Sequence, residues 1–170
     1  MEKLIMRPMS SSEFDAFRAR EISGYATDQV RAGNWTEDES ESRSAELTDS
    51  LLPLGFETPG TLLLIAETPE RVQIGHVWVA FQRPPGSGSG AWIYDIEVEP
   101  EHRGKGFGRA LLVAAEEETA RHGISKIGLN VFGSNKTARS LYESAGYQVA
   151  STQMSKELNP TTSGQQPTLL

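Results

Sequence analysis

The order of hydrophobic patterns predicts an α/β fold, a mixed central sheet with helices on both faces. Three observations carry this. A short opening strand is followed by two helical patterns, three strand patterns then run consecutively over 61–100, and the remaining strands alternate with helices. Consecutive strands joined by turns pair antiparallel, whereas a helix between strands brings in a parallel neighbour. The predicted order is β-α-α-β-β-β-α-β-α-β.

"KLIMRPM" is the opening strand and stops near Pro8. Ser10, Ser11 and Ser12 are candidate N-caps with Glu13 in the first turn, and Phe14, Phe17, Ile22, Tyr25 and Val30 recur at helical spacing until Gly33. Thr36 and Glu39 have capping-box spacing at the start of the second helix. Its acidic first half (Glu37, Asp38, Glu39, Glu41) suits the positive end of a helix, or forms a rim that attracts a cationic substrate. "TLLLIAE" (61–67), "RVQIGHVWVAFQ" (71–82) and "GAWIYDIEVEP" (90–100) are rich in branched and aromatic residues and read as strands; "RPPGSGSG" is a hairpin loop.

Residues 105–122 give the clearest helix. Phe107, Leu111, Ala114 and Ala115 lie toward one face, Glu116, Glu117 and Glu118 toward solvent, and Gly123 closes it. "KIGLNVF" is a strand, "NKTARSLYESAG" a helix ending at Gly146, and "YQVASTQMSKEL" a last strand. Residues 1–158 are expected to form one domain and 159–170 a frayed tail.

Composition narrows the function. The 170 residues carry a net charge of −7, which disfavours a nucleic-acid surface and suits cationic small molecules such as amines. The absence of cysteine removes disulfides, thiolate metal sites and a cysteine nucleophile. His76, His102 and His122 have no metal-ligand spacing, so no metal is expected. No apolar run approaches the roughly 20 residues that span a bilayer, and the N-terminus lacks a signal-peptide pattern, so the expected setting is cytoplasmic.

"RGKGFG" (103–108) concentrates glycine and positive charge at the mouth of a helix. A P-loop needs four residues between its first Gly and Gly-Lys, followed by Ser or Thr, and a dinucleotide fingerprint needs G-x-G-x-x-G after the first strand; neither fits. Arg-x-x-Gly-x-Gly opening a helix does suit an anion. Glycines let backbone N–H groups approach closely, the helix start adds unpaired donors, and Arg103, Lys105 and Arg109 add charge suited to a pyrophosphate.

With "LNVFGSNKTARSLYESAGYQ" following at the expected distance, the chain resembles the GNAT superfamily of acyl-CoA-dependent N-acyltransferases. The two motifs cover about 98–147, and the resemblance in element order runs over about 3–158. It implies a V-shaped acetyl-CoA cleft between the strand ending at Val98 and the strand through Asn130. The implied cofactor contacts are Ile96 and Val98 on that first strand, Arg103, Gly104, Lys105, Gly106, Phe107, Gly108 and Arg109 on the loop, and Asn130, Asn135, Ala138 and Tyr142 beyond. It further implies direct transfer to a primary amine, on a small molecule or a peptide, with Tyr142 as general acid.

The resemblance supplies no fixed base. Alternation in "WIYDIEV" puts Ile93, Asp95 and Glu97 on one face and Trp92, Tyr94, Ile96 and Val98 on the other, so Asp95 and Glu97 are candidates, Glu97 favoured as nearer the acetyl position. Rival readings are an acyltransferase for another acyl-CoA and a CoA-binding module without turnover. By analogy with relatives, the edge of 147–158 offers a dimer contact with a second copy.

Overall fold

The computed structural model describes residues 3–86, 88–156 and 158. The tail expected over 159–170 lies outside the described residues. The chain runs through β1 (Ile5–Pro8), α1 (Ser11–Arg31), α2 (Glu37–Leu51), β2 (Thr61–Glu67), β3 (Gln73–Ala80), β4 (Ala91–Val98), α3 (Phe107–Arg121), β5 (Ile127–Leu129) and α4 (Lys136–Ser144). Short 3-10 turns at Gly55–Glu57 and Pro100–His102 precede β2 and the glycine-rich loop.

Local signals set the helix ends. The Ser10 hydroxyl accepts from the Glu13 N–H, and the Glu13 carboxylate accepts from the Ser10 N–H at 2.8 Å, a reciprocal cap on α1. At α2 the Thr36 N–H donates to Glu39 at 3.3 Å. His122 follows α3, with its Nδ1 2.9 Å from the Glu118 carbonyl oxygen. Arg7 binds the first elements together, donating to Glu67 at 2.7 Å and through two nitrogens to Glu13 at 2.7 and 2.8 Å. Those bonds hold the Glu13 carboxyl down to about 2.

Among the described residues, five strands form one sheet in the order β1-β2-β3-β4-β5, antiparallel except for the parallel β4/β5 pair. The sheet separates two cores. On one face Phe14 and Phe17 of α1 pack with Leu63, Ile65 and Trp78. On the other, Ala110, Leu111, Leu112 and Ala115 of α3 pack on Leu64, Val77, Val79 and Ile93, joined by Leu141 and Tyr142 of α4. α3 thus buries its 110–111–112–115 stripe, and Ala114 is only half-buried.

Two sequence expectations are corrected. Strict alternation fails in β4, because Trp78 pairs with Asp95 and Val79 with Ile93, leaving Tyr94 as an extra residue. The bulge returns Ile93 to the face of Ile96 and Val98, against the α3 core, and puts Tyr94 beside Asp95 and Glu97 on the α1 face. The second correction concerns 147–158, which forms no strand among its described residues. Beyond Tyr147 and Val149 its apolar side continues as Ser151 and Gln153, which offers too little burial to hold an edge strand, and Val149, Met154 and Leu158 are exposed. The strand edge offered to a second copy is therefore not formed there. No helix among the described residues is long and apolar enough to cross a membrane.

Gly75 is required where β3 meets β4. A Cβ there would lie 2.0 Å from the Glu97 carbonyl oxygen, a backbone atom that cannot turn aside. Gly75→Ala is expected to cost about 3 kcal/mol by overpacking, and hence roughly 6–12 °C in Tm, measured by thermal unfolding. An unchanged Tm would show that the two strands part freely.

Candidate active site

The bulge at Tyr94 also marks where the sheet splits. β4 and β5 pair at Ala91–Ile127, Trp92–Gly128 and Ile93–Leu129, and among the described residues the β4 edge has no partner strand from Tyr94 onward. The opening widens into a cleft of about 760 Å³, reaching from α1 and α2 across β4 to α4. Chemistry divides it into two halves.

One half is glycine and backbone. Gly104 and Gly106 adopt left-handed φ of 73° and 86°, a conformation that costs about 1–2 kcal/mol for a residue with a Cβ. Gly106 is the N-cap of α3, so the loop delivers the unpaired N–H groups of a helix start to the cleft's rim. At Gly108 a Cβ would come within 3.3 Å of Leu141, so glycine also lets α3 and α4 approach. Arg103 folds over the end of β4, its Nε donating to the Val98 carbonyl oxygen at 2.9 Å and its Nη2 to Glu97 at 2.7 Å. Lys105 donates to the Glu101 carbonyl oxygen at 2.8 Å, and Arg109 is turned away onto Ser144 of α4.

Asn130, Val131 and Phe132 form the opposite wall, and Asn130 stands just past the end of β5 instead of within it. Asn135 caps α4, its Oδ1 accepting from the Ala138 N–H at 3.1 Å. Both residues, with Tyr142, face the cleft.

The other half is acidic and aromatic. Asp95 and Glu97 of β4 meet Glu21 and Asp28 of α1, with Tyr25, Trp78 and Tyr94 around them. Trp78 and Tyr94 stack at 4.6 Å. Glu21 has no hydrogen-bond or ion-pair partner among the described residues; burial first, then Asp95, Glu97 and Asp28, raise its carboxyl to about 8. Asp95 is held by His76, whose Nε2 is 2.6 Å from Oδ2. Tyr142 stands across the opening, pushed up to about 12 by burial and by the negative charge of Asp95. Asp95 thus acts electrostatically on Glu21 on one side and Tyr142 on the other, while Glu97 is taken up by Arg103.

The profile of the Acetyltransferase (GNAT) family matches residues 25–147. The Bacillus subtilis protein YycN, described as an uncharacterized N-acetyltransferase, is 34% identical over 155 residues, which is 91% of this chain and 99% of its own length. The chain belongs to the GNAT family of acetyltransferases. The crystal structure of YycN superposes with a TM-score of 0.86 at 33% identity, covering 92% of this chain and 99% of YycN. The Escherichia coli ribosomal protein bS18-alanine N-acetyltransferase is 34% identical over 80 residues, 47% of this chain and 53% of that one. The PaiA N-acetyltransferase of Thermoplasma acidophilum, solved with coenzyme A, shares the fold: TM-score 0.57, 21% identity, 89% and 93% coverage.

For a GNAT enzyme the glycine-rich half was legible in the sequence, and of the acidic half Asp95 and Glu97 were legible but the residues of α1 were not. Glu21, Tyr25 and Asp28 fall at i, i+4 and i+7 on one face of α1, a spacing that marks them as neighbours but not as cleft residues. The expected acidic rim of Glu37, Asp38, Glu39 and Glu41 does not line this cleft; Glu39 is occupied by Thr36 and Arg43. Among the described residues, no three His, Asp or Glu side chains gather as a metal site.

A carboxyl raised on folding binds a proton that the unfolded chain has released, so it lowers stability as pH rises from 4.5 toward 8. Glu21→Gln is therefore expected to match the wild type near pH 4.5 and exceed it by about 1–3 kcal/mol at pH 9. Denaturant unfolding at both pH values tests this. An equal gap at both would place the Glu21 carboxyl in water.

Proposed function

We propose that the protein transfers the acetyl group of acetyl-CoA directly to a cationic primary amine, with residues up to 158 acting as one domain. The observation that carries this reading is the position of Asp95 and Tyr142, an ionisable acceptor and a protonated phenol facing one another across the opening between β4 and β5. Bound acetyl-CoA would supply an activated acyl carbon and a thiolate leaving group.

The structure fits that group. The unpaired β4 edge from Tyr94 to Val98 offers backbone groups to an extended chain, and the left-handed Gly104 and Gly106 leave the amides at the start of α3 open to a pyrophosphate. Arg103 is the loop cation nearest the cleft and would exchange its bonds to Val98 and Glu97 for the phosphates. Arg109, bonded to Ser144, would contribute through α4. Coenzyme A as the ligand of the Thermoplasma neighbour supports the assignment.

Within the acidic half, Asp28 and Asp95 would attract an ammonium group, which would release one proton to solvent before its lone pair meets the acyl carbon, while Glu21, which keeps its proton to about pH 8, would offer a hydroxyl beside it. Asp95, the acid whose charge reaches Tyr142 across the opening and whose His76 partner lies beneath the cleft, would accept the proton that leaves the neutral amine. Tyr142, held protonated, would donate its hydroxyl hydrogen to the departing sulfur. No covalent enzyme intermediate is needed.

The test is thiol release from acetyl-CoA across a panel of amines, amino-acid amides and short peptides. Cationic acceptors with a free primary amine are expected to turn over; release by none of them would remove the reading. Tyr142→Phe should lower kcat about 100-fold and leave the KM for acetyl-CoA within about threefold. Gly106→Ala should instead weaken coenzyme A binding about tenfold by calorimetry, the equivalent of 1.4 kcal/mol. Equal kcat in Tyr142→Phe, or unaltered binding in Gly106→Ala, would separate the respective residue from its role.

A further inference from the structure

His76 stands in the middle of β3, on the face it shares with Trp78, and is 2% exposed. A polar ring buried so deeply is costly unless its nitrogens are used. Nε2 meets Asp95 Oδ2 at 2.6 Å, whereas the buried Nδ1 has no hydrogen-bond partner among the described residues. This asymmetry decides where the ring hydrogen sits. Opposite a carboxylate oxygen, Nε2 must carry a hydrogen to bond at that distance, and a second hydrogen on Nδ1 would be a buried donor with nothing to receive it. The neutral ring protonated at Nε2 is the form that fits. Phe17 packs edge-on against the imidazole at 5.3 Å, so the ring cannot turn without disturbing the core.

We propose that His76 is a positioning residue, whose Nε2–H fixes Oδ2 of Asp95 and so leaves Oδ1 directed to the acceptor. The proposal rests on the reading of Asp95 as proton acceptor. Asp95 follows directly on the bulge, where the ladder no longer constrains the strand on both sides. A carboxylate at that position has a rotamer choice, and a donor buried beneath it removes the choice. Glu97, the neighbouring acid on the same face, receives its donor from the side chain of Arg103, which is half exposed. His76 gives Asp95 a donor from the floor of the cleft that ligand entry does not compete for.

The experiment compares His76→Phe, which fills the ring's volume without a donor, with His76→Gln, which returns an N–H near the place of Nε2. His76→Phe is expected to lower kcat about 10- to 100-fold with the KM for acetyl-CoA within about twofold. His76→Gln should recover most of the loss. In an Asp95→Asn background, His76→Phe should add less than about twofold, because its effect passes through Asp95. A folded His76→Phe protein with wild-type kcat, a His76→Gln protein no better than it, or a fully additive loss on Asp95→Asn would each overturn the proposal.

Nitrogen NMR of the histidine-labelled wild type tests the same geometry where a variant fails to fold. A neutral ring protonated at Nε2 is expected at pH 7, and an Nδ1–H tautomer or an imidazolium would overturn the assignment. Full activity in Asp95→Asn would instead sink the reading of Asp95 while leaving the tautomer as described, so the two failures are distinguishable.

Discussion

The extra residue in β4 is the constraint from which the site follows. With Tyr94 bulged, Ile93 still pairs with Leu129 on β5, but the next residues turn away from that neighbour, and the sheet opens at the point where its parallel pairing ends. The same insertion changes which side chains face α1. Without it, Ile93 would lie with Asp95 and Glu97; with it, Tyr94 joins the two acids and stacks on Trp78, while Ile93, Ile96 and Val98 stay in the α3 core. One residue therefore supplies both the exposed backbone edge and the acidic surface beside it. Gly75, which lets β3 approach the Glu97 carbonyl, holds the far end of the same strand pair.

Electrostatics then partition the opening. Carboxylates from two elements converge on the α1 side, and burial leaves Glu21 holding its proton more tightly than an exposed acid would. Cations and amides gather on the α3 side, where glycines remove the side chains that would block them. Arg103 bridges the halves by binding Glu97 and the Val98 carbonyl together. An anion held on the loop would compete for that guanidinium, so the two halves are linked through one side chain. Tyr142 sits at their junction, subject to the charge of Asp95 yet packed with Tyr147 in the α3 core.

How much the sequence revealed follows the same division. The loop 103–108 is local: glycine spacing, charge and the following helical pattern lie in one stretch, so its conformation could be read without tertiary information. The helices, β2 and the capping residues were legible for the same reason, since Ser10 with Glu13 and Thr36 with Glu39 are contacts between near neighbours. The bulge was not. Nothing in "WIYDIEV" favours an extra residue at Tyr94; it appears only when β3 is laid alongside. His76 was likewise opaque, because its partner is 19 positions away and reached through strand register. The 147–158 segment misled in the opposite sense, since its first apolar positions suggested an alternation that its later residues do not sustain.

Local legibility bears on what kind of ligand each half can take. A backbone cradle recognises charge and shape common to any ligand bearing a pyrophosphate, and it needs only glycines at the right spacing. An acceptor must be told apart from other amines, and on the proposed reading that discrimination would fall to side chains from α1, α2, β3 and β4 that are far apart in the chain. Leu47 and Leu51 of α2 wall the acidic half with apolar surface, so an acceptor entering as proposed would meet carboxylates below and hydrocarbon beside them. Charge alone would admit any ammonium. The apolar wall adds a second requirement, because a strongly hydrated amine loses water there without compensation, whereas one carrying an apolar body gains by burial. On the proposed reading, α2 would therefore read the acceptor's body more than its charge.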